Sequence, residues 1–145
     1  MAFRFALAAV LKYRQNLERS EYLALGRVQQ ELIHAETQLL ECELLYTAAT
    51  REREAEVARG VVSAHLQTAY EKELALEKHR DALRVRQHEL QLKRQKCLLA
   101  YEQARQKREV LEDLRNRQWG VYRQEQARRE QDRIDDIYLA RRRRR

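Results

Sequence analysis

The sequence has no proline, three glycines and two asparagines, so it contains few of the residues that reverse a chain. β-Sandwiches and doubly wound sheets need a turn every ~8–12 residues, and those turns are built largely from Gly, Pro, Asn and Asp. Ala, Glu, Lys, Leu and Arg instead make up about 60% of the chain, which exceeds the roughly 50% typical of coiled coils. The composition predicts an all-α protein, and we expect residues 1–145 to form a single elongated coiled-coil domain.

Cysteine and long apolar runs are also scarce. The two cysteines, Cys42 and Cys97, form no Cys-x-x-Cys pair, and we recognise no secretory leader. The longest apolar run, Phe5 to Leu11, has seven residues, whereas a helix needs about 20 to cross a bilayer. These features predict a soluble protein of the reducing cytoplasm in which the cysteines pack as small hydrophobes.

The positive charge is concentrated in one place. The formal net charge is +7, and it falls to +2 without the run Arg141 to Arg145. Such a run is typical of interaction tails, so a basic-tailed coiled coil that binds RNA, DNA or an anionic surface is one alternative. The run lacks the interleaved aromatics and the continuous basic face of a nucleic-acid interface, and nucleic acid is therefore the less favoured partner.

Apolar residues in the first part of the chain recur in alternating steps of three and four, which is the spacing of a helix seam. An earlier run from Phe3 joins this seam at Val28 through two successive steps of four, a stutter that locally unwinds a coiled coil. The regular seam has eight members: Leu25, Val28, Leu32, Ala35, Leu39, Cys42, Tyr46 and Ala49.

A second seam repeats every seven residues in the later part of the chain. The companion core position in the same stretch is polar, with Glu73, Arg80, Gln87 and Arg94. Such a half-polar seam predicts a marginal two-stranded coil. The apolar line consists of Val62, Ala69, Leu76, Leu83, Leu90, Cys97, Ala104 and Leu111.

Between the two seams, Gly60 and Ser63 predict a hairpin turn over residues 60–63. Glycine adopts the left-handed conformation that ends a helix, and a serine side chain accepts a hydrogen bond from an exposed N–H at a helix start. The alternative is one continuous helix, because a mid-helix glycine costs only ~1 kcal/mol.

The hairpin interpretation gives helix 1 about 3–59, helix 2 about 64–140 and a basic tail 141–145. Helix 2 then extends past its partner by ~30 Å. Gly120 lies in this stretch as a tolerated glycine or a hinge. Apolar residues there form a short stripe that suggests docking: Ile134, Ile137, Tyr138 and Leu139.

We find no pattern that predicts catalysis. The glycines are far apart and no Gly-Lys-Ser/Thr occurs, which excludes a phosphate-binding loop of that type. Glu31 and His34 have the spacing of di-iron bundle ligands, but the second Glu-x-x-His that such sites need is missing. A two-helix hairpin also lacks a concave pocket for a substrate. We predict no catalytic residue, no metal, no cofactor and no small-molecule substrate.

Three segments, taken in order, resemble FliJ-type flagellar export proteins. The opening Phe3 to Arg14, followed by acidic residues, is similar to the start of that family. Gly60-Val-Val-Ser63 resembles the family's Gly-Ile-x-Ser at the helix junction, and Glu130 to Asp136 followed by arginines resembles its ending. The chain departs from the family after Ser63, where aromatic residues are common in relatives and this chain has Leu66, Ala69 and Lys72.

The resemblance implies a cytoplasmic antiparallel coiled coil similar to the central stalk of rotary ATPases. Members of the family insert their paired helix ends into the pore of the hexameric flagellar export ATPase and promote ring assembly. They also contact the cytoplasmic part of the membrane-embedded export gate and handle export chaperones. The implied location is the inner face of the cell membrane at the flagellar base. The equivalent stalk of a virulence secretion system is an alternative.

The resemblance also suggests which residues make these contacts. The end that enters the ATPase pore would comprise Phe3, Phe5, Leu7, Leu11, Arg14, Ile134, Asp135, Asp136 and Ile137. The face toward the export gate would comprise Leu45, Leu76, His79 and Leu83, although Leu76 and Leu83 are also seam residues.

Overall fold

Two long helices make up almost the whole protein in the computed structural model. Helix α1 (Ala8–Arg59) has 52 residues and helix α2 (Ser63–Arg143) has 81. The structure describes residues 2–60 and 62–144, and within these ranges it contains no β-strand. The two helices pack against each other as a hairpin, so the predicted all-α two-helix fold is confirmed.

Both outer helix boundaries differ from those read in the sequence. Helix α1 begins at Ala8 and not near Phe3. Residues 3–7 contain no acidic side chain to favour a helix start there, and the positive charge of Arg4 disfavours one. Helix α2 continues to Arg143, so most of the predicted basic tail is helical. Arginine has a high helix propensity, and positive charge at a helix C-terminus is favoured by the helix dipole.

The reversal between the helices depends on one glycine. Gly60 has φ of 69°, in the left-handed region that favours glycine. The carbonyl of Val62 accepts a 3.4 Å bond from the N–H of Leu66, which makes Val62 the cap residue of α2. Ser63 is therefore the first helical residue, one position after the cap. The neighbouring Val61 lies outside the described residues.

Residues 21–100 form one compact unit, built from the later part of α1 and the first part of α2. Leu32, Ala35 and Leu90 form its buried cluster, and Leu90 is only 2% exposed. All eight predicted seam residues of α1 are buried or half-buried. In α2 the line from Ala69 to Cys97 is likewise buried or half-buried, whereas Val62 is exposed.

Two of the four polar positions of the α2 seam in this unit, Glu73 and Arg80, contact side chains of α1. Glu73 accepts hydrogen bonds from Arg53 and from the Thr50 hydroxyl, the latter at 3.1 Å. The Arg80 guanidinium lies 4.4 Å from the centroid of the Tyr46 ring, a cation–π distance. The half-polar seam therefore makes interhelical contacts at Glu73 and Arg80.

Residues 1–20 and 101–145 form the second compact unit. Leu11 of α1 and Ala104 of α2 are its buried residues, each 4% exposed. Arg108 of α2 forms ion pairs with Glu18 of α1 and with Glu112 one turn along its own helix. The helix continues through Gly120 without interruption, which supports the tolerated glycine over a hinge.

The two cysteines are unpaired. Cys42 is 3% exposed, and its thiol lies 3.5 Å from the Leu76 carbonyl oxygen in donor geometry. Cys97 is half-buried. Both therefore occupy seam positions, in agreement with their expected role in packing.

Candidate protein-interaction sites

Three aromatic side chains cluster where the start of the chain meets α2. The Phe3 ring contacts Trp119 edge-on at 5.2 Å between centroids and Tyr122 at 5.6 Å. Trp119 and Tyr122, one helical turn apart, stack at 5.6 Å. Residues 2–7, which precede α1, are thus anchored to α2 by ring contacts at Phe3. We call Phe3, Trp119 and Tyr122 the aromatic cluster.

The sequence analysis missed Trp119 and Tyr122 as part of this end. Two aromatic residues at i and i+3 lie on the same face of a helix, and this spacing was the available signal. This spacing does not identify Phe3 as the third ring of the cluster, because Phe3 is 116 positions before Trp119 in the chain. Only the alignment of α1 with α2 brings the three rings together.

The other predicted pore-end residues near the chain start have different exposures. Leu11 is buried at 4% exposure, so it is part of the packing between the helices. Phe5 and Arg14 are half-buried, and the Arg14 guanidinium lies 5.8 Å from the centroid of the Tyr13 ring. Leu7 is exposed at 38%. Leu7 is therefore the most accessible apolar member of this group.

The predicted residues near the end of α2 lie apart from that group. Ile134 is twelve residues beyond Tyr122, or about 18 Å along the helix axis. Ile134 and Ile137 are 59% and 54% exposed. Asp135 and Asp136 are exposed as well, and Asp135 accepts a 3.0 Å hydrogen bond from Gln131 one turn earlier. The structure does not bring these four residues beside Phe3.

Residues 123–143 form the α2 extension, the part of the helix beyond the aromatic cluster. Every residue from Ala127 to Arg144 is exposed. The α2 extension carries seven arginines and five acidic residues, so both signs of charge are present. Its exposed apolar residues are Ile134, Ile137, Tyr138 and Leu139.

The four predicted gate-face residues divide into two pairs. Leu45 and His79 are exposed and available for contact. Leu76 is half-buried and Leu83 is 9% exposed, because both lie in the seam. Their side chains pack between the helices, so a partner at this face would contact mainly Leu45 and His79.

Electrostatic pKa shifts occur at two interhelical ion pairs. The hydrogen bond from Arg53 lowers the pKa of Glu73 below its ordinary value of 4.5, and the Thr50 hydroxyl adds to the effect. The Glu18 carboxylate raises the pKa of Arg108 through a direct hydrogen bond. These groups hold the helices together, and their shifts are those of structural ion pairs.

Two classes of site are not found among residues 2–60 and 62–144. No group of three or more His, Cys, Asp and Glu is placed to hold a metal ion. Neither helix has a stretch long and apolar enough to span a membrane, over the same residues.

An α-helical hairpin of this kind, with every residue from Ala127 to Arg144 exposed, fits the class of coiled-coil proteins. Residues 3–145 match the family model described as "Flagellar FliJ protein". The chain belongs to the FliJ family and is a flagellar protein-export component. Comparison with curated proteins and with solved structures gave no significant match.

Proposed function

We propose that this protein is a non-enzymatic stalk and coupling protein that inserts into the hexameric ring of the flagellar export ATPase. The observation that carries the proposal is the α2 extension, about 30 Å of helix beyond the aromatic cluster. Its residues are exposed from Ala127 onward and combine apolar side chains with both signs of charge. A single helix of this kind is narrow enough to enter a ring pore.

The aromatic cluster supports this role because it fixes the start of the α2 extension. Phe3 joins the beginning of the chain to α2 at Trp119 and Tyr122. Force or rotation applied to the exposed end would thus be transmitted to a paired two-helix segment. Ile134 and Ile137 would supply apolar contacts in the pore, and Asp135 and Asp136 would supply charge.

The mixed charge of the α2 extension suits a contact that must be made and broken. Exposed ion pairs contribute only ~0–1 kcal/mol each, and salt screens them over ~8–10 Å. A stalk that is held by such weak contacts can change its position in the ring, because it does not have to be released from a deep pocket. We therefore expect the affinity for the ring to fall as ionic strength rises.

Two further contacts belong to the proposal. The cytoplasmic part of the export gate would bind the face that includes Leu45 and His79, which are exposed on the paired helices. Export chaperones would bind exposed apolar residues of α1, such as Ile33 and Leu40. The protein would then act in the cytoplasm, at the inner face of the membrane at the flagellar base.

The direct test mixes the purified protein with the cognate export ATPase and follows ATP hydrolysis and ring formation. We expect stimulation of hydrolysis and co-migration with the assembled ring. Ile134→Ser combined with Ile137→Ser should lower the stimulation at least tenfold, because both apolar contacts are lost.

The matched control changes two apolar residues of similar exposure outside the α2 extension, Val85→Ser with Val110→Ser. It should retain most of the stimulation. Failure of the unmodified protein to stimulate hydrolysis or to co-migrate with the ring would rule out the stalk assignment. Equal loss in both double variants would show that the α2 extension is not the inserted part.

A further inference from the structure

The end of α2 has a face whose chemistry is not explained by pairing with α1. Successive residues of an α-helix are rotated by about 100°, so Ile134, Ile137, Tyr138 and Arg141 lie on one side of α2. Ile134, Ile137 and Tyr138 are 59%, 54% and 66% exposed, and Arg141 is exposed. We call these four residues the terminal face.

Two acidic residues of the same segment lie on the other side of the helix. Asp132 and Asp136 lie about 160° around the axis from Ile134, on the opposite side of the helix. Glu130 is on the same side as Ile134 but lies about 16 Å before Arg141 along the helix axis. These three carboxylates are therefore separated from the arginines, either around the helix or along it. Because the helix continues to Arg143, the arginine run is held in register with the apolar residues before it.

The arginines gather around the aromatic member of the terminal face. Arg141, Arg142 and Arg144 line one surface depression together with Tyr138. This arrangement puts guanidinium groups, which bind phosphate oxygens through two parallel hydrogen bonds, beside an aromatic ring and two isoleucines.

We propose that the terminal face docks on an anionic lipid surface, with Ile134, Ile137 and Tyr138 entering the headgroup region and Arg141, Arg142 and Arg144 binding lipid phosphates. A basic amphipathic helix lies in the membrane interface with its apolar side inserted, and tyrosine favours that level. Arginine side chains extend toward the phosphates while their methylene stems remain against apolar groups. Nucleic acid would use the arginines but leave the isoleucines in water, so the apolar half of the terminal face favours lipid.

This contact goes beyond the stalk function and does not depend on it. Ile134 and Ile137 are also proposed to enter the ATPase pore, so a single copy would make one contact or the other. The end of α2 would then rest on the membrane until a ring assembles over it.

The test measures co-sedimentation of the full-length protein with vesicles, in the absence of the ATPase. We expect binding to phosphatidylcholine vesicles that contain phosphatidylserine and little binding to vesicles of phosphatidylcholine alone. Because no ATPase is present, failure of this test and failure of the stalk assignment are separate outcomes.

Two matched pairs of variants test the geometry. Arg141→Gln with Arg142→Gln should weaken binding about 25-fold, at about fivefold per arginine near the surface. Arg128→Gln with Arg129→Gln makes the same charge change on the other side of the helix and should weaken it less than about fivefold.

The second pair isolates the apolar contribution. Ile137 and Leu139 are equally exposed at 54%, and Leu139 lies about 140° away from Ile134. Ile137→Ser should weaken vesicle binding about tenfold, and Leu139→Ser less than about threefold. Circular dichroism of each variant checks that the helix is intact.

Three results would overturn the proposal. One is equal binding to vesicles with and without phosphatidylserine. Another is an equal effect of Ile137→Ser and Leu139→Ser. The third is tighter binding to a duplex DNA fragment than to the anionic vesicles with no effect of Ile137→Ser on either, which would assign the arginines to nucleic acid.

Discussion

The two parts of α2, residues 63–122 and the α2 extension, are built from similar residues but differ in what they contact. Both are helical and rich in arginine, glutamine and acidic side chains. In the first part Leu90 is 2% exposed against α1, whereas in the second Ile137 is 54% exposed. Helix formation and burial are thus separate properties in this protein. The paired part provides stability, and the exposed part leaves its apolar side chains accessible.

The largest expected effect is in the paired part. Leu90→Ala should lower the free energy of unfolding by ~2–5 kcal/mol, because it removes buried methyl groups and leaves a cavity beside Leu32 and Ala35. Ile137→Ala should change it by less than ~0.5 kcal/mol. Urea unfolding followed by circular dichroism measures both, and similar losses would contradict the contrast between the two parts.

The next largest loss of stability is expected at the aromatic cluster, where the two parts of α2 meet. Phe3→Ala should cost about 1 kcal/mol, because it removes two ring contacts of the aromatic cluster. Trp119 is the only tryptophan, so its fluorescence reports on this site directly. We expect its emission to shift to longer wavelength as water reaches the ring. Phe5→Ala is the control, and a shift of equal size there would show that the cluster does not depend on Phe3.

A gain in stability is expected at Gly120. The helix continues through this position, and a Cβ atom added there would meet no atom within 4 Å. Gly120→Ala should therefore raise the free energy of unfolding by ~0.5–1 kcal/mol through helix propensity. If Gly120 were a hinge needed for function, the same variant would stimulate the export ATPase less than the unmodified protein does.

The smallest expected effect is a dependence of the folding stability on pH, through Glu73. The Glu73 pKa is lowered by Arg53 from its ordinary value of 4.5, so the ionised carboxylate stabilises the folded state. This contribution is fully present above about pH 4.5 and is lost as the pH falls through the lower, folded-state pKa. The stability difference between the unmodified protein and Glu73→Gln should therefore shrink in acid. Glu71→Gln, at an exposed position two residues earlier in the chain, is the control.

The helices and their seams could be predicted because they follow from local rules. Steps of three and four define one face of a helix whatever the partner is, so Leu25 to Ala49 were assigned correctly. The polar positions were visible in the sequence, but their partners were not. That Arg80 lies over Tyr46 depends on how far α1 and α2 are displaced along their axes.

The candidate sites could be predicted less well for the same reason. Phe3 was recognised as an end residue, but its partners Trp119 and Tyr122 depend on the alignment of two long helices. Leu76 and Leu83 illustrate a second difficulty, since one apolar residue can serve packing or binding. Burial assigns them to packing, which sequence periodicity alone had left open.

The different burial of the two thiols makes it possible to measure how often the helices separate. Cys42 is enclosed by the seam and Cys97 is half-buried in the same unit. A thiol reagent should therefore label Cys97 first and reach Cys42 only when α1 and α2 part locally. When the helices close again faster than the reagent reacts, Cys42 is labelled more slowly than a free thiol. The ratio of the two labelling rates then gives the equilibrium constant for the opening. Repeating the measurement with a bound partner would show whether the partner keeps the helices together or draws them apart.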